Sequence, residues 1–322
     1  MKKNKILVTG CAGFIGYHLS INLVKDFTVI GIDSINNYYD IKIKKQRLNN
    51  LIEHKNFKFN KINLTDQSRL EKLFKIEKFD YVVNLAAQAG VRYSIENPKT
   101  YLDNNIVGFF NLIDLSKKFN IKHFLYASTS SVYGDTKKFP ISEHHNTDKP
   151  LSFYAASKKC NEIMAHSYSA IFKLPTTGLR FFTVYGPMGR PDMALFKFVS
   201  SAINGRKADL FNHGNHVRDF TYINDVVSSI RKLIHKKPKN DTPYEIFNVG
   251  SGDPKKLSVF INLIEKYISK KINFNFLELQ KGDVHKTHSD NSKLQNKIGK
   301  IKFTNIKQGI KNFVDWYSKS IS

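Results

Sequence analysis

The sequence predicts an α/β protein with a doubly wound parallel sheet and a smaller, partly interleaved domain toward its C-terminal end. Two observations lead to this fold class. Apolar runs of strand length alternate with stretches of helical periodicity as far as about residue 180, and a glycine-rich turn separates the first strand from the first helix. Such alternation is typical of parallel sheets that carry helices on both faces.

The predicted elements follow one another regularly in the first part of the chain. Residues 6–9 predict a buried strand, and the apolar spacing over 14–23 predicts the helix after it. Further strands are predicted at 28–32, 57–59, 81–85, 123–127 and 175–179. Helical patterns separate several of them, at 66–76, 98–118 and 152–172.

The pattern changes beyond about residue 180. A Gly- and Pro-rich stretch at 186–191, short strands within 207–222, and helical patterns near 257–270 and 305–320 follow. We expect this part to form the smaller domain and to cover the carboxyl ends of the parallel strands, where sheets of this kind bind ligands.

Composition narrows the class of protein. With 322 residues, 41% of them hydrophobic, the chain can bury a large core without disulfides. Cys11 and Cys160 form no CxxC or Cys/His pattern, so we expect a reducing cytoplasm and no bound metal. The basic start passes at once into the first strand, and no apolar run is long enough to cross a bilayer. We therefore expect neither export nor membrane insertion.

The net charge of +24 raises the question of a nucleic acid partner. Only eight of the 51 basic residues are arginine, and the lysines are scattered among Asn and Ile. A compositional drift accounts for this pattern better than a basic groove does. We expect most of the charge to lie on solvated surface, with no nucleic acid partner.

The turn after the first strand predicts a dinucleotide site. Gly10, Gly13 and Gly16 form a GxxGxxG pattern between a strand and a helix, which lets the backbone and the helix N-terminus approach a pyrophosphate. Asp33 ends the second predicted strand, the position from which a carboxylate accepts the hydroxyls of an adenosine ribose. Because this carboxylate repels a 2′-phosphate, we expect a Rossmann-type site for NAD rather than NADP.

A Tyr-x-x-x-Lys pair on a helix is the second indicator, because residues i and i+4 share one face. Only one such pair, Tyr154/Lys158, lies in a helical stretch that follows a strand ending in hydroxyl residues, at 128–131. We take the other three as chance in a lysine-rich chain; they are Tyr38/Lys42, Tyr133/Lys137 and Tyr267/Lys271.

With these motifs in place, the chain resembles extended short-chain dehydrogenases that act on nucleotide sugars, over nearly all of its length. The segments that carry the resemblance are GCAGFIG, NLAAQAGVRYS, ASTSSVYG, YAASK, LRFFTVYGPMGRPDM, RDFTY and QKGDV. The resemblance implies three catalytic residues, Thr129, Tyr154 and Lys158. It implies NAD contacts from Tyr154 and Lys158 and from Gly10, Gly13, Phe14, Ile15, Gly16, Asp33, Asn63, Leu64, Leu85, Ala86, Ala87 and Asn105. The nucleotide-sugar contacts that it implies are Gln88, Arg92, Ser130, Ser131, Thr183, Arg190, Met193, Arg218 and Asp283.

The resemblance also implies how the chain is divided. Residues 1–180, rejoined by about 219–249, would bind NAD, and residues 181–218 and 250–322 would bind the nucleotide sugar. Relatives usually form homodimers through the helices around 98–118 and 152–172, and we expect the same here. Asn63 departs from the family, since relatives usually have Asp near the adenine, yet its side-chain oxygen can still accept a hydrogen bond.

The implied chemistry requires a tyrosine that takes up a proton near neutral pH. An ammonium about 5 Å away, at an effective dielectric of about 20, lowers a tyrosine pKa by about two units, and Lys158 is the expected source. Tyr154 would then take the proton of a sugar hydroxyl while hydride passes to NAD. Thr129 would orient the same hydroxyl.

The predicted substrate depends on the residues next to Thr129. Relatives that eliminate water carry an Asp-Glu pair there, because elimination needs an acid and a base, whereas this chain has Ser130 and Ser131. UDP-glucuronate decarboxylases also resemble the chain but typically keep Glu at the second position. Epimerisation at C4 through a 4-keto intermediate remains, and residues 186–193 resemble the same stretch of UDP-glucuronate 4-epimerases. Four side chains would then receive the sugar carboxylate, namely Ser130, Ser131, Thr183 and Arg190.

Alternatives remain open at this point. Two serines are equally typical of a turn cap, and Arg190 is equally suited to phosphate or solvent. A UDP-glucose or UDP-N-acetylglucosamine 4-epimerase would share every feature except the carboxylate pocket. A nucleotide-sensing protein without turnover is disfavoured by the complete set of Thr129, Tyr154 and Lys158. A basic-surface binding protein would show salt-sensitive DNA affinity.

Overall fold

The computed structural model describes residues 3–321. Its strands in chain order are β1 Lys5–Thr9, β2 Thr28–Asp33, β3 Phe57–Lys61, β4 Tyr81–Asn84, β5 His123–Thr129, β6 Thr176–Phe181, β7 Thr183–Tyr185, β8 Ala208–Phe211, β9 Val217–Arg218, β10 Phe220–Tyr222, β11 Tyr244–Val249, β12 Lys255–Lys256 and β13 Phe274–Leu277. Its α-helices are α1 Phe14–Leu23, α2 Ile41–Ile52, α3 Gln67–Glu77, α4 Tyr93–Glu96, α5 Pro98–Tyr101, α6 Gly108–Lys118, α7 Phe153–Phe172, α8 Ala194–Ile203, α9 Ile223–Ile234, α10 Leu257–Ile268, α11 Ser292–Ile298 and α12 Ile306–Ile321.

A seven-stranded parallel sheet forms the centre of the molecule, in the order β11-β6-β5-β4-β1-β2-β3. Val8 of β1 pairs with Gly31 of β2 on one side and with Val83 of β4 on the other. The strand order therefore reverses between β1 and β4, and ligands bind beyond the carboxyl ends of the strands at such a reversal. The predicted α/β class with a doubly wound parallel sheet is confirmed.

The central strands are buried on both faces, which is why they are almost wholly apolar. Ile6 and Val8 of β1 pack toward the helices α1 and α9, while Leu7 between them packs toward α3 and α6. This alternation follows from the two-residue period of a strand. Helix α7 lies beside α6 on the second face.

The residues after β6 build a smaller part over the carboxyl ends of the strands. There β8 pairs with β13, β9 with β12, and β7 with β10, and α8 and α12 both pack against α10. The chain then returns to the main part of the molecule. There β11 pairs in parallel with β6, and α9 packs against α1.

The stretch predicted as helical over 98–118 is helical throughout, but a π-helix, Leu102–Val107, separates α5 from α6. The side chain of Asn161 on α7 donates a 2.6 Å hydrogen bond to the backbone carbonyl of Asn105. A side chain that takes a carbonyl in this way disturbs the regular ladder of a helix.

No helix among residues 3–321 is both long enough and apolar enough to cross a membrane.

Candidate active site

A cavity of about 950 Å³ opens at the carboxyl ends of the parallel strands. Its volume lies near the top of the range for small-molecule sites. Every site residue expected from the sequence lines this cavity except Asn105. One continuous space therefore brings together the glycine turn, the Tyr154/Lys158 pair and the polar residues of the smaller part.

The glycine turn forms one end of the cavity. Gly10 has a φ of +69°, and a Cβ there would lie 2.8 Å from the nitrogen of Ala86. A Cβ at Gly13 would lie 2.9 Å from the carbonyl oxygen of Gly10, and one at Gly16 would collide with the same oxygen. The backbone thus leaves a cradle at the N-terminus of α1 that only glycine permits, as a bound pyrophosphate requires.

Asp33 lies at the end of β2 beside this turn. Its carboxylate accepts hydrogen bonds from the backbone nitrogens of Ala12, at 3.1 Å, and Ile35, at 2.8 Å. Burial raises the pKa of Asp33, while those backbone donors and the charges of Lys44 and Arg47 lower it. Its oxygens keep lone pairs for further donors such as ribose hydroxyls, so the residues present fit a dinucleotide.

The side walls of this end come from the loops after β3 and β4. Asn63, the departure from the family pattern, accepts a 3.2 Å hydrogen bond from the nitrogen of Thr65. From the same two loops, Leu64, Leu85, Ala86 and Ala87 also line the cavity, and Phe14 and Ile15 line it from the start of α1.

The expected cofactor contact of Asn105 needs correction. Its side chain lies behind the cavity wall, where it accepts from the nitrogen of Gln88 at 2.7 Å and donates to the carbonyl of Gln88 at 3.0 Å. It also donates to the hydroxyl of Ser157 at 2.9 Å. Asn105 therefore fixes the loop after β4 against α7, and its neighbour Asn104 lines the cavity instead.

Helix α7 carries Tyr154 and Lys158 into the centre of the cavity. Ser152 caps the helix by accepting a hydrogen bond from the nitrogen of Ala155. Tyr154 and Lys158 then lie one turn apart on the same face, and Thr129 at the end of β5 is near enough to Tyr154 to lower the pKa of its hydroxyl. Of the four Tyr-x-x-x-Lys pairs, only this one has both members in the cavity lining.

The ionisation of this pair differs from the sequence-based expectation. Burial raises the pKa of Tyr154, while the Thr129 hydrogen bond and the charge of Arg190 lower it. Burial also lowers the pKa of Lys158 to about 8, against the opposing charge of Glu162. The expected fall in the Tyr154 pKa caused by Lys158 is therefore wrong for the protein by itself, because desolvation penalises both charged forms.

A buried ion pair between Glu162 and Arg180, which was not predicted from the sequence, holds α7 against the sheet. Glu162, one turn after Lys158, accepts two 2.8 Å hydrogen bonds from the guanidinium of Arg180 on β6. Ser128 of β5 donates to the same carboxylate at 2.6 Å. These bonds fix α7 on the sheet and thereby fix Tyr154 and Lys158 above it. The available signal was an arginine in a strand that otherwise carries no charge.

The four residues expected to receive a carboxylate all line the cavity: Ser130, Ser131, Thr183 and Arg190. Thr129 accepts from the nitrogen of Ser131 at 3.2 Å and donates to its hydroxyl at 3.2 Å. Arg190 is already paired, because its Nε donates to Asp192 at 3.0 Å and its Nη2 donates to the second oxygen of the same carboxylate. Tyr38 donates to Asp192 at 3.3 Å. Sequence reasoning missed both Asp192 and Tyr38.

The loop that carries Arg190 is fastened to the glycine turn. Arg47, which is fully buried, donates to the carbonyl of Ala12 in that turn at 2.9 Å and to the carbonyls of Met188 and Gly189 in the loop at 2.7 and 3.1 Å. His18 on α1 lies 2.8 Å from the carbonyl of Pro187. Burial lowers the pKa of His18 to about 4, so its neutral ring donates this bond at physiological pH.

The opposite end of the cavity is rich in arginine. Arg92 lies over the ring of Phe211, 4.1 Å from its centroid. Arg218 donates to Asp283 at 2.8 Å. Gln88 and Met193 complete the predicted substrate residues in the lining.

A glycine cradle, an aspartate at the end of β2 and a Tyr-x-x-x-Lys pair in one cavity define a Rossmann-type protein of the extended short-chain dehydrogenase class. The sequence profile of the NAD dependent epimerase/dehydratase family matches residues 6–250, and the chain belongs to this family.

Individual relatives are similar over almost their whole length. Protein CapI of Staphylococcus aureus is 50% identical, over 97% of this chain and 98% of that protein. A Probable UDP-glucuronate 4-epimerase of Rhizobium meliloti is 41% identical, over 98% of this chain and 97% of that protein. The crystal structure of the UDP-glucuronic acid 4-epimerase of Bacillus cereus, in complex with UDP-glucuronic acid and NAD, matches with a TM-score of 0.92 and 32% identity, over 98% of this chain and 99% of that one.

Proposed function

We propose that this chain is a UDP-glucuronate 4-epimerase, which interconverts UDP-glucuronate and UDP-galacturonate through a 4-keto intermediate with tightly bound NAD. The observation that carries the proposal is the meeting of Ser130, Ser131, Thr183 and Arg190 in the cavity that holds Tyr154 and Lys158. The names of the relatives in Rhizobium meliloti and Bacillus cereus support the same substrate.

The cofactor fits the glycine end of the cavity. Gly10, Gly13 and Gly16 would hold the pyrophosphate, and Asp33 would hold the adenosine ribose. NAD, when bound, supplies the acceptor for the hydrogen at C4 of the sugar and carries a positive nicotinamide ring. A positive charge brought near Tyr154 opposes the effect of burial on its pKa.

The chain's own residues move and place the proton of the sugar. Tyr154 accepts the proton of the 4-hydroxyl as C4 is oxidised and returns it when C4 is reduced on the opposite face. Thr129, which lies close to Tyr154 in the cavity lining, orients that hydroxyl. Lys158 adds positive charge one helical turn away.

The direct test is incubation with UDP-glucuronate without added reductant, followed by proton NMR. The expected result is the growth of a UDP-galacturonate signal until the two sugars reach equilibrium. Absence of that signal, with conversion of UDP-glucose or UDP-N-acetylglucosamine in a parallel panel, would favour an epimerase of uncharged sugars. A UDP-pentose product would favour a decarboxylase.

Asp33→Ala is expected to weaken NAD binding and to relax the discrimination against NADP. The substitution removes the ribose acceptor and the negative charge that repels a 2′-phosphate. A charge-assisted hydrogen bond contributes about 1.5–3 kcal/mol, which corresponds to roughly tenfold to hundredfold in affinity. Fluorescence titration of the stripped protein with both cofactors checks this result, and equal affinities in variant and parent would contradict the site.

The assignment of ligands to parts of the chain is also a proposal. Residues 1–180, rejoined by about 219–249, would bind NAD, and residues 181–218 and 250–322 would bind the UDP-sugar. The return of β11 to the main sheet supports this division.

We also propose a cytoplasmic location. Two cysteines that are both free, Cys11 and Cys160, support it.

We further propose a homodimer formed through α6 and α7. Several large apolar side chains are exposed along the π-helix and these two helices, which lie together on one face of the sheet: Val107, Phe110, Ile163, Ile171 and Phe172. An exposed apolar patch of this kind is typical of an interface. The proposed partner is a second copy of the chain, because relatives of this family usually pair through these helices.

Ile163→Glu is expected to convert the dimer to a monomer, because it buries a charge in the apolar centre of the interface. Ile163 is 60% exposed in the single chain. Light scattering coupled to size-exclusion chromatography gives the mass. Ile52→Glu on α2, at a side chain 56% exposed on the other face of the sheet, is the matched control and should leave the dimer intact. A parent protein that is monomeric would contradict the proposal.

A further inference from the structure

His216 is a buried side chain of the cavity wall to which neither the proton transfer nor the carboxylate contacts give a role. It is 6% exposed and lines the cavity. Its backbone is fixed on both sides, since its nitrogen donates to the carbonyl of Gly214 and its carbonyl accepts from the nitrogen of Leu257, each at 2.8 Å. The ring is therefore held at the cavity wall just before β9.

The Nε2 atom of His216 has no hydrogen-bond partner within residues 3–321. One oxygen of Asp283 lies 3.5 Å away, which is longer than a well-formed hydrogen bond. The other oxygen of Asp283 accepts from Arg218. A buried polar nitrogen without a partner is unfavourable unless a ligand supplies one.

The wall around His216 carries an excess of positive charge. Arg92 and Arg218 act on its ring, against one carboxylate, that of Asp283. The lining of the cavity also contains Arg206, Lys207 and Asp209. This excess suits a dianion, and the diphosphate of a nucleotide sugar is a dianion of the right kind.

We propose that His216 is a further nucleotide-binding residue, which donates a hydrogen bond from Nε2 to the diphosphate of the UDP-sugar and takes up a proton as the nucleotide binds. The inference rests on the proposed function in requiring a UDP-sugar as ligand. It does not require that the sugar is glucuronate or that it is epimerised.

The direction of the proton linkage follows from the charges that face the ring. In the free protein burial lowers the pKa of His216, and Arg218, His285 and Arg92 lower it further, while Asp283 opposes them. Two more cations lie on the neighbouring backbone, the exposed Lys256 and Lys286. A bound diphosphate stabilises the protonated ring, so the pKa of His216 is higher in the complex than in the free protein. The affinity is consequently greatest at low pH and falls as pH rises through the pKa of the complex.

The test is calorimetric titration of the holoenzyme with UDP-glucose, whose diphosphate is a diester and does not titrate between about pH 6 and about pH 8. Titrations at about pH 7 in two buffers of different ionisation enthalpy give the number of protons taken up. The parent protein is expected to take up a measurable fraction of a proton, and His216→Gln to lose that part of the uptake. The affinity of the parent should weaken by about threefold to tenfold from about pH 6 to about pH 8, and that of His216→Gln by less.

His285→Gln is the matched control, because His285 also lies beside Arg218, which donates to its backbone carbonyl, but its side chain is exposed. It should keep both the proton uptake and the affinity of the parent. Thermal unfolding and bound-cofactor content show whether His216→Gln is folded. If UDP-glucose binds too weakly, UDP-glucuronate replaces it as the ligand. The proteins compared then all carry the Tyr154→Phe substitution.

Equal proton uptake and equal affinity in His216→Gln and the parent would overturn the proposal. A loss of affinity that is the same at every pH, without proton uptake by the parent, would also overturn it and leave His216 as a support for Asp283. The proposal is also overturned if neither UDP-sugar binds. A protein that shows the proton linkage yet does not epimerise UDP-glucuronate would retain this inference and lose the proposed function.

Discussion

Replacement of Tyr154 by phenylalanine is expected to abolish turnover of UDP-glucuronate while leaving the binding of NAD and UDP-sugar nearly unchanged. The variant keeps the aromatic ring, which packs edge-on against Tyr101 with centroids 6.1 Å apart, and removes only the hydroxyl. Loss of a positioned acid-base group lowers a rate by about 10²–10⁴. Initial rates by NMR and affinities by calorimetry measure the two effects separately.

Tyr267→Phe provides the matched control for this prediction. Tyr267 and Lys271 form another Tyr-x-x-x-Lys pair, yet neither residue lines the cavity. The variant should turn over UDP-glucuronate like the parent. Near-normal turnover in Tyr154→Phe would place the proton acceptor elsewhere.

The second large effect concerns how the sugar carboxylate is held. The proposed intermediate is a β-keto acid, which loses CO₂ readily once its carboxylate turns perpendicular to the ketone. An epimerase must therefore restrict that rotation. Hydroxyls from Ser130, Ser131 and Thr183, with the guanidinium of Arg190, can hold the carboxylate in one orientation.

Arg190→Ala is expected to weaken the use of UDP-glucuronate by roughly tenfold to hundredfold, from one lost charge-assisted contact. The effect should appear in kcat/KM for UDP-glucuronate, with little change in the binding of UDP-glucose, which has no carboxylate. Arg218→Ala is the control for a general loss of charge, because it should weaken both UDP-sugars alike. Asp192 already engages Nε and Nη2 of Arg190, which leaves Nη1 outside that pair and free for the sugar.

Ser130→Ala and Ser131→Ala should release the carboxylate without removing charge. In these variants we expect a UDP-4-keto-pentose together with NADH, detected by mass spectrometry and by absorbance at the NADH band. Epimerisation at the parental rate by these two variants and by Arg190→Ala, without any decarboxylated product, would place the carboxylate elsewhere. The uncharged-sugar epimerase would then be the better assignment.

Much of the fold could be predicted because strand and helix periods are local properties of the chain. Strands such as β1 and β2 are apolar runs that can be recognised from a few consecutive residues. The π-helix inside the helical stretch predicted at 98–118 has a non-local cause. Asn161, which takes the carbonyl of Asn105, is far away in sequence, and no local pattern indicates such a contact.

The residue types of the site could be predicted, but their partners could not. The motif placed Arg190 in the cavity, whereas its pairing with Asp192 depends on how the loop folds. Asn105 matched the family motif and yet lies behind the wall of the cavity, because its side chain forms two hydrogen bonds with the backbone of Gln88. The sign of the Tyr154 pKa shift was wrong because an estimate from one nearby charge leaves out burial, which is the largest influence here.

Arg47 links the glycine turn to the loop that bears Arg190. One guanidinium bonds to a carbonyl of the glycine turn and to two carbonyls of the loop that bears Arg190. We therefore expect ordering of the turn by a ligand to favour ordering of the loop, and a coupling between two binding equilibria is reciprocal. Dinucleotide occupancy and preference for an acidic over a neutral sugar should change each other by the same factor. On this expectation, sugar selectivity reports on the occupancy of the dinucleotide site.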